Sequence, residues 1–499
     1  MGDYDYKEII NKIQKIEDGY PIETLCYKGI NFWPLIKSGF NADLLTNNFV
    51  EKPNTPKKNS KQKIGDIILS FKNWRAAKKE LNMIKAPEFD FNKKKIIYLS
   101  YSSFRNQFIG NHYYNSLSDS FANSVKKRDD LAIIEFISHN INNKPTLENI
   151  IEGEYLSSLA RTNQKKQQFI QYCRALFSNQ LFDAGGFPYE KFESYMKLKH
   201  PDVHFISGHF FYNAEYILQL KKIFKKLFEN TDIKYFVTPV YYNQESLAAL
   251  LACKELNITS IEVQHGAYSK AMYRLSENDY KMLPDYFFSW DVEQAESINK
   301  WRKTKSLHKA FSFGIPALSF WQKNKNLFSN QHFIKTQNTI REKANHIHVL
   351  YTVSEFFEER IASLIALTKG TVYWHIRKHP RQSYSEEKEF IAELTKNDCS
   401  NYDIENATGS PLYSLLAEME YNITSASSTV CEALVFQIPT IVINKSGRFL
   451  FEDYSNNPRV HFIENITEIL ALIKCKTLKK KINSYSTLYF EDFLSTHNR

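Results

Sequence analysis

A strand–helix alternation that runs through the chain twice constrains the fold more than any other feature. Short apolar runs recur at Lys95-Ile96-Ile97-Tyr98-Leu99-Ser100, Leu131 to Phe136, Ile233 to Pro239 and Ile258 to Gln264. Between the last two lies a helical pattern, Glu245 to Leu256, with apolar Leu247, Leu250, Leu251 and Leu256. Apolar runs of this length describe strands buried on both faces, and helices between them impose crossovers and a parallel sheet. The pattern restarts with a strand at His346 to Tyr351, a helix at Glu355 to Leu367 and a strand at Gly370 to Ile376. It ends with a helix at Leu412 to Met419, a strand at Tyr421 to Thr424, a helix at Thr429 to Phe436 and a strand at Pro439 to Ile443. The expected fold is therefore α/β, two Rossmann-like domains with parallel sheets facing a central cleft. The division read from the pattern is an N-terminal extension and linker over 1–90, a first domain over 91–330 and a second over 331–499. The polar stretch Phe320 to Ala344 is read as the link between the two series, and Glu51 to Lys63 as an exposed linker.

The bulk numbers agree with this division. A chain of 499 residues exceeds one ordinary domain of roughly 150 residues. With 43% hydrophobic and 24% charged residues it can bury a sizeable core. Its net charge of +10 is spread, with local runs at Lys57-Lys58 to Lys63 and Lys479 to Lys481. Such runs describe a solvated basic face, or a surface that meets anionic lipids of the inner membrane leaflet. No nucleic-acid-binding module or aromatic-basic repeat is present, so nucleic acid is not an expected partner. Six cysteines without a C-x-x-C pair indicate neither a zinc site nor a disulfide framework. Without a secretory signal or a run of ~18 apolar residues, a cytoplasmic location with at most peripheral membrane contact is expected.

Ligands of such sheets sit beyond the carboxyl ends of the strands. After the strand ending at Ile376 comes Arg377-Lys378-His379-Pro380-Arg381, a cluster of cations suited to a phosphate ester, with Pro380 stiffening the turn. After the strand ending at Thr424 comes Ser425-Ala426-Ser427-Ser428-Thr429, rich in hydroxyls at a helix start, where free N–H groups favour an anion. Glu432 lies one turn into that helix, suited to a ribose diol or, in the plainer reading, to a capping box. In the first series Glu262-Val263-Gln264-His265-Gly266-Ala267-Tyr268 displays His265 at a strand end, where an imidazole suits a general base. Glu262 and Asp285 are reserve candidates for that base, and Tyr113 to Asp119 for the acceptor side. The Asp3-Tyr4-Asp5 triplet lies in the polar start of the chain, away from any core strand, and no His/Asp/Glu cluster has metal-ligand spacing. No metal or other cofactor is expected.

Together these loops resemble the His-Pro and Ser-Ser/Thr motifs of bacterial sialyltransferases and Kdo transferases, GT-B glycosyltransferases that use CMP-activated sugars. The Gln264-His265-Gly266 triplet stands where sialyltransferases carry an acidic Asp-Gly motif. With Pro284-Asp285 and Trp290 it is similar to segments of capsule and surface-carbohydrate proteins. The stretch Ser425 to Pro439 also looks like the corresponding helix of UDP-GlcNAc 2-epimerases. The resemblance implies a metal-independent glycosyltransferase taking a nucleotide sugar, CMP-linked Kdo or a nonulosonic acid for preference, to a glycan or lipid-linked acceptor. Arg377, Lys378, His379, Pro380, Ser425, Ser427, Ser428, Thr429 and Glu432 would hold the nucleotide. Alternatives are a UDP-GlcNAc 2-epimerase-like enzyme, a polyol-phosphate transferase using CDP-glycerol, and a non-catalytic polysaccharide assembly factor.

Overall fold

A computed structural model describes the chain except residues 1–5, 38–39, 41–59, 89, 110–111, 138–144, 146, 148–149, 176–188, 204–206, 268–281, 302–306, 355–356, 380–381, 383, 475–488 and 498–499. Pro380, Arg381, the Asp3-Tyr4-Asp5 triplet, the Lys57-Lys58 and Lys479 to Lys481 runs and most of the expected linker lie outside the described residues.

The first series folds into a seven-stranded, wholly parallel sheet. In chain order its strands are β1 (Ile96–Tyr101), β2 (Leu131–Phe136), β3 (Ile150–Glu152), β4 (Tyr235–Thr238), β5 (Thr259–Val263), β6 (Tyr286–Ser289) and β7 (Lys309–Ser312). Their spatial order is β7-β6-β5-β4-β1-β2-β3. The second series forms a six-stranded parallel sheet from β8 (Ile347–Thr352), β9 (Val372–Arg377), β10 (Tyr402–Asp403), β11 (Tyr421–Thr424), β12 (Thr440–Val442) and β13 (Val460–Phe462). Its order is β10-β9-β8-β11-β12-β13. Both are doubly wound sheets, reversing direction between β1 and β4 and between β8 and β11. A ligand crevice opens at such reversal points. The central strands β1, β2 and β11 are buried at every residue, which is why most of their residues are apolar or aromatic.

Three packing relations cross the boundaries read from the sequence. The residues before 90 do not stand apart: Ile9, Ile13 and Ile16 of the helix Tyr6–Gly19, with Phe32 and Trp33, share one apolar cluster with Ile97 and Leu99 of β1. The polar stretch from 320 to 344 is folded, because Trp321, Phe328 and Phe333 are buried and Asn330 caps the helix Gln331–Glu342. Finally, the helix Phe490–His497 packs on the first sheet, with Phe493 4.6 Å from Phe288 and Phe490 5.2 Å from Phe121 between ring centroids. The aromatic face of that helix finds its burial in the first half, not the second.

Candidate functional site

At the reversal point of the second sheet, Thr352 at the end of β8 pairs with Thr424 at the end of β11. Hydroxyls tie the loops that follow. Thr352 Oγ1 lies 2.7 Å from Thr429 Oγ1, Ser354 Oγ accepts from the Ala426 amide at 3.0 Å, and Ser425 donates to Glu358 at 2.8 Å. Ser427 Oγ accepts from the Thr429 amide at 3.3 Å. Ser425 and Thr429 are thus buried parts of the scaffold, whereas Ser427 and Ser428 remain half-exposed. Among the described residues the Ser428 hydroxyl makes no hydrogen bond. Beneath this loop Gly447 leaves no room for a side chain: a Cβ there would meet the Ser425 carbonyl oxygen at 1.7 Å.

Glu432 sits one turn into the seven-residue helix Thr429–Val435 and is 7% exposed. It caps nothing; instead it accepts from the Tyr413 hydroxyl at 3.3 Å. Burial pushes its carboxyl up to about 7, opposed by that bond and by the Arg377 charge.

Arg377 departs from its expected place on a phosphate. Its Nη1 donates to the carbonyl oxygens of Ala407 and Thr408, each at 3.1 Å, and of Ser410, and burial lowers the guanidinium to about 10. As the last residue of β9 it points to the same face as Thr352, where the end of the helix Glu405–Gly409 takes it up. The orphan carbonyls at that helix end need a donor. Lys378 turns the other way, pairing with Glu387 at 2.6 Å on the rim of a cavity of about 490 Å³ with Tyr402, Glu405 and Thr408. His379 is half-exposed, and its amide and carbonyl close a turn with Gln382 at 2.9 and 3.0 Å. The ends of β9 and β11 flank β8 and are not neighbours. The strand ends from which the His379 and Ser428 loops leave are thus about two interstrand spacings apart, ~10 Å.

In the first half, Gln264 is buried and organises the loop after β5. Its Oε1 accepts from the Trp290 amide at 2.8 Å, its carbonyl from Trp290 Nε1 at 3.0 Å, and its Nε2 donates to the Gly266 carbonyl at 2.8 Å. His265 is left half-exposed at the strand end, its ring 6.1 Å from that of Phe104. The reserve candidates do not join it. Glu262 is 0% exposed, 3.1 Å from His308, in a strand buried on both faces from Ser260 to Val263. Asp285 precedes β6, at the amino edge of the sheet, and binds Ser260 and Lys254 there. Of the acceptor-side segment, Tyr114 and Asp119 are buried, and burial raises the Asp119 carboxyl to about 6.

The two motif regions nevertheless meet. Ala267 and Ala426 pack against one apolar cluster that also holds Trp290, Val430 and Cys431. A polar chain crosses the same boundary: Gln264 Nε2 donates to Gln294 Oε1 at 2.5 Å, and Gln294 Nε2 reaches Cys431 Sγ at 3.4 Å and Tyr454 at 2.5 Å. Asp291 accepts from both Tyr454 and Gln294. Sequence reasoning missed Gln294, Asp291, Tyr413, Tyr454 and Gly447. Asp291 and Gln294 directly follow the Trp290 segment and were within reach, whereas nothing local marks Tyr454. Among the described residues no group of three or more His, Cys, Asp or Glu side chains is arranged to hold a metal ion, and no helix is long and apolar enough to cross a membrane.

No protein-family model and no curated protein matches the sequence. Among solved structures, the UDP-GlcNAc 2-epimerase from Methanocaldococcus jannaschii is similar at TM-score 0.47 and 12% identity, over 81% of this chain and 99% of that one. The UDP-GlcNAc 2-epimerase from Neisseria meningitidis bound to UDP-GlcNAc is similar at TM-score 0.44 and 11% identity, over 81% and 100%. The wall teichoic acid polymerase TagF is similar at TM-score 0.39 and 12% identity, over 89% and 93%. What the chain's own strand order establishes is its architecture: two doubly wound parallel α/β sheets, each with its reversal point.

Proposed function

We propose that the chain acts on a nucleotide-activated sugar at the boundary between its halves and transfers the sugar to an acceptor hydroxyl. The phosphate end lies between His379 and Ser428, and the ribose on Glu432. The observation that supports this best is the polar chain Gln264–Gln294–Cys431, which ties the His265 loop to the helix carrying Glu432. Through this chain the loop that displays His265 is joined to the helix that carries Glu432.

In the transfer step, His265 takes the proton of the acceptor hydroxyl as its oxygen bonds to the anomeric carbon. The carbon–oxygen bond to the nucleotide phosphate breaks, and the leaving phosphate is met by His379 and Ser428. The acceptor is a glycan or lipid-linked glycan on the first half, reached from the cytoplasmic side with peripheral contact to the inner leaflet. The preference for CMP rests on the motif resemblance alone, so CMP is tested beside CDP, UDP and GDP.

Thermal-shift measurements with CMP, CDP, UDP and GDP, followed by mass analysis of products with and without a lipid-linked glycan, test this reading. Stabilisation by a nucleotide and acceptor-dependent product formation are expected. Conversion of a UDP-sugar without acceptor would replace transfer by epimerisation, and a product carrying a polyol phosphate would replace it by polyol-phosphate transfer. No stabilisation by any nucleotide would leave the non-catalytic assembly factor.

A further inference from the structure

The helix Ser60–Met83 lies against the helix Glu154–Ala175 through Ile67, Ser70, Trp74, Ala77 and Leu81, residues spaced three and four apart. Trp74 stacks on Phe169 at 5.7 Å between centroids, and Thr162 donates to the Ala77 carbonyl at 3.2 Å. Among the described residues, that contact leaves the outer side of the helix open. There Ile64, Ile68 and Leu69 are 50%, 51% and 57% exposed on adjacent turns, whereas Phe71, at the margin, packs its ring 5.2 Å from that of Phe169. Further along the same side Lys72, Arg75 and Lys79 are exposed, Arg75 lying over the Phe71 ring. In all, the helix carries six basic residues against two acidic ones.

Three large aliphatic side chains exposed together mark an interaction surface. Its occupant must supply an apolar layer for Ile64, Ile68 and Leu69 and, about one helical turn away (~5 Å), negative charge for Lys72 and Arg75. An anionic bilayer has that layering, acyl chains beneath a plane of phosphates, and its charge complements the basic excess of the helix. We propose that the outward face of Ser60–Met83 docks this protein on an anionic lipid surface. The aliphatic residues enter the headgroup boundary, and Lys72, Arg75 and Lys79 rest on lipid phosphates. The inference deepens the lipid-linked acceptor of the proposed function, yet it is tested apart from nucleotide binding.

The test is flotation of the full-length protein with vesicles of phosphatidylcholine, alone or mixed with phosphatidylglycerol. Wild type should float with the mixed vesicles, less with phosphatidylcholine alone, and be released by high salt. The variants Ile68→Gln with Leu69→Gln, and Lys72→Gln with Lys79→Gln, should each partition on the order of tenfold less. All should keep the wild-type melting temperature and nucleotide-induced shift. If a double variant melts early, Leu69→Gln alone and the salt dependence of wild type carry the test. Failure of wild type to float with anionic vesicles, flotation insensitive to salt, or variants that float as well as wild type would overturn the proposal. A protein partner for this face would show itself as the first of these outcomes. Loss of the nucleotide shift with intact flotation would instead strike only the transferase reading.

Discussion

Gln264 and Trp290 hold each other by two hydrogen bonds, Trp290 N to Gln264 Oε1 at 2.8 Å and Trp290 Nε1 to the Gln264 carbonyl at 3.0 Å. Between them they place the loop that displays His265. Gln264→Ala removes the acceptor of a buried amide and the donor to Gln294, and each unpaired buried group costs about 1–3 kcal/mol. Chemical denaturation should show a loss on the order of 2–4 kcal/mol. His265→Ala should leave stability nearly unchanged and lower turnover, and equal effects of the two would contradict the division of labour between scaffold and base.

Gly447→Ala forces a methyl against the Ser425 carbonyl and Val442, which stand at 1.7 and 2.6 Å from the ideal Cβ. The neighbour on the closest side is backbone, so the Ser-rich loop itself must shift. Nucleotide binding, read by calorimetry, should weaken at least tenfold, corresponding to about 1.4 kcal/mol.

Arg377 and His379 stand two residues apart and should answer differently to substitution. Arg377→Met leaves the carbonyls of Ala407, Thr408 and Ser410 without their donor and Glu432 without its opposing charge. A stability loss of roughly 2–4 kcal/mol is expected. His379→Ala should lower nucleotide affinity with a melting temperature close to wild type. A large melting shift for His379→Ala with unchanged affinity would place it in the scaffold too.

Glu432 makes nucleotide affinity depend on pH. Its carboxyl is raised to about 7, so it is neutral in the free protein below that pH and ionised above it. The carboxylate is the better acceptor for ribose hydroxyls, so affinity should rise as pH passes upward through about 7. Glu432→Gln should bind more weakly at pH 8 and show a flat profile; calorimetry between roughly pH 6 and 8 reads the difference.

His375 makes stability depend on pH in the opposite range. Its Nε2 lies 3.0 Å from His348 Nδ1, and burial lowers its ionisation to about 3. The unfolded imidazole binds a proton near its ordinary value of about 6.5, whereas the folded one does not. Stability is therefore complete above about pH 6.5 and falls as pH drops from there toward 3. Melting temperatures of wild type should decline more steeply over that interval than those of His375→Gln, and parallel curves would exclude this pair as the cause.

The sequence by itself determined the two parallel sheets, because strands buried on both faces are largely apolar and stand out as short runs. Leu131 to Phe136 and Tyr421 to Thr424 could be read to the residue. It also marked His265, Ser428 and Glu432 by their places after strand ends. It could not tell which polar groups the fold would consume. Arg377 and Ser425 carry the chemistry of a phosphate site, yet one is taken by carbonyls of a helix end and the other by Glu358. Glu262 lies in a strand covered on both faces, and Asp285 stands at the amino edge of the sheet, bound to Ser260. The edge strands β3, β10 and β13 are two or three residues long and carry too little pattern to read. Only the tertiary structure decided that the helix Phe490–His497 returns to the first half and that Gln264 reaches Cys431. Such pairings join residues more than a hundred positions apart, and no local periodicity encodes which buried donor will meet which acceptor.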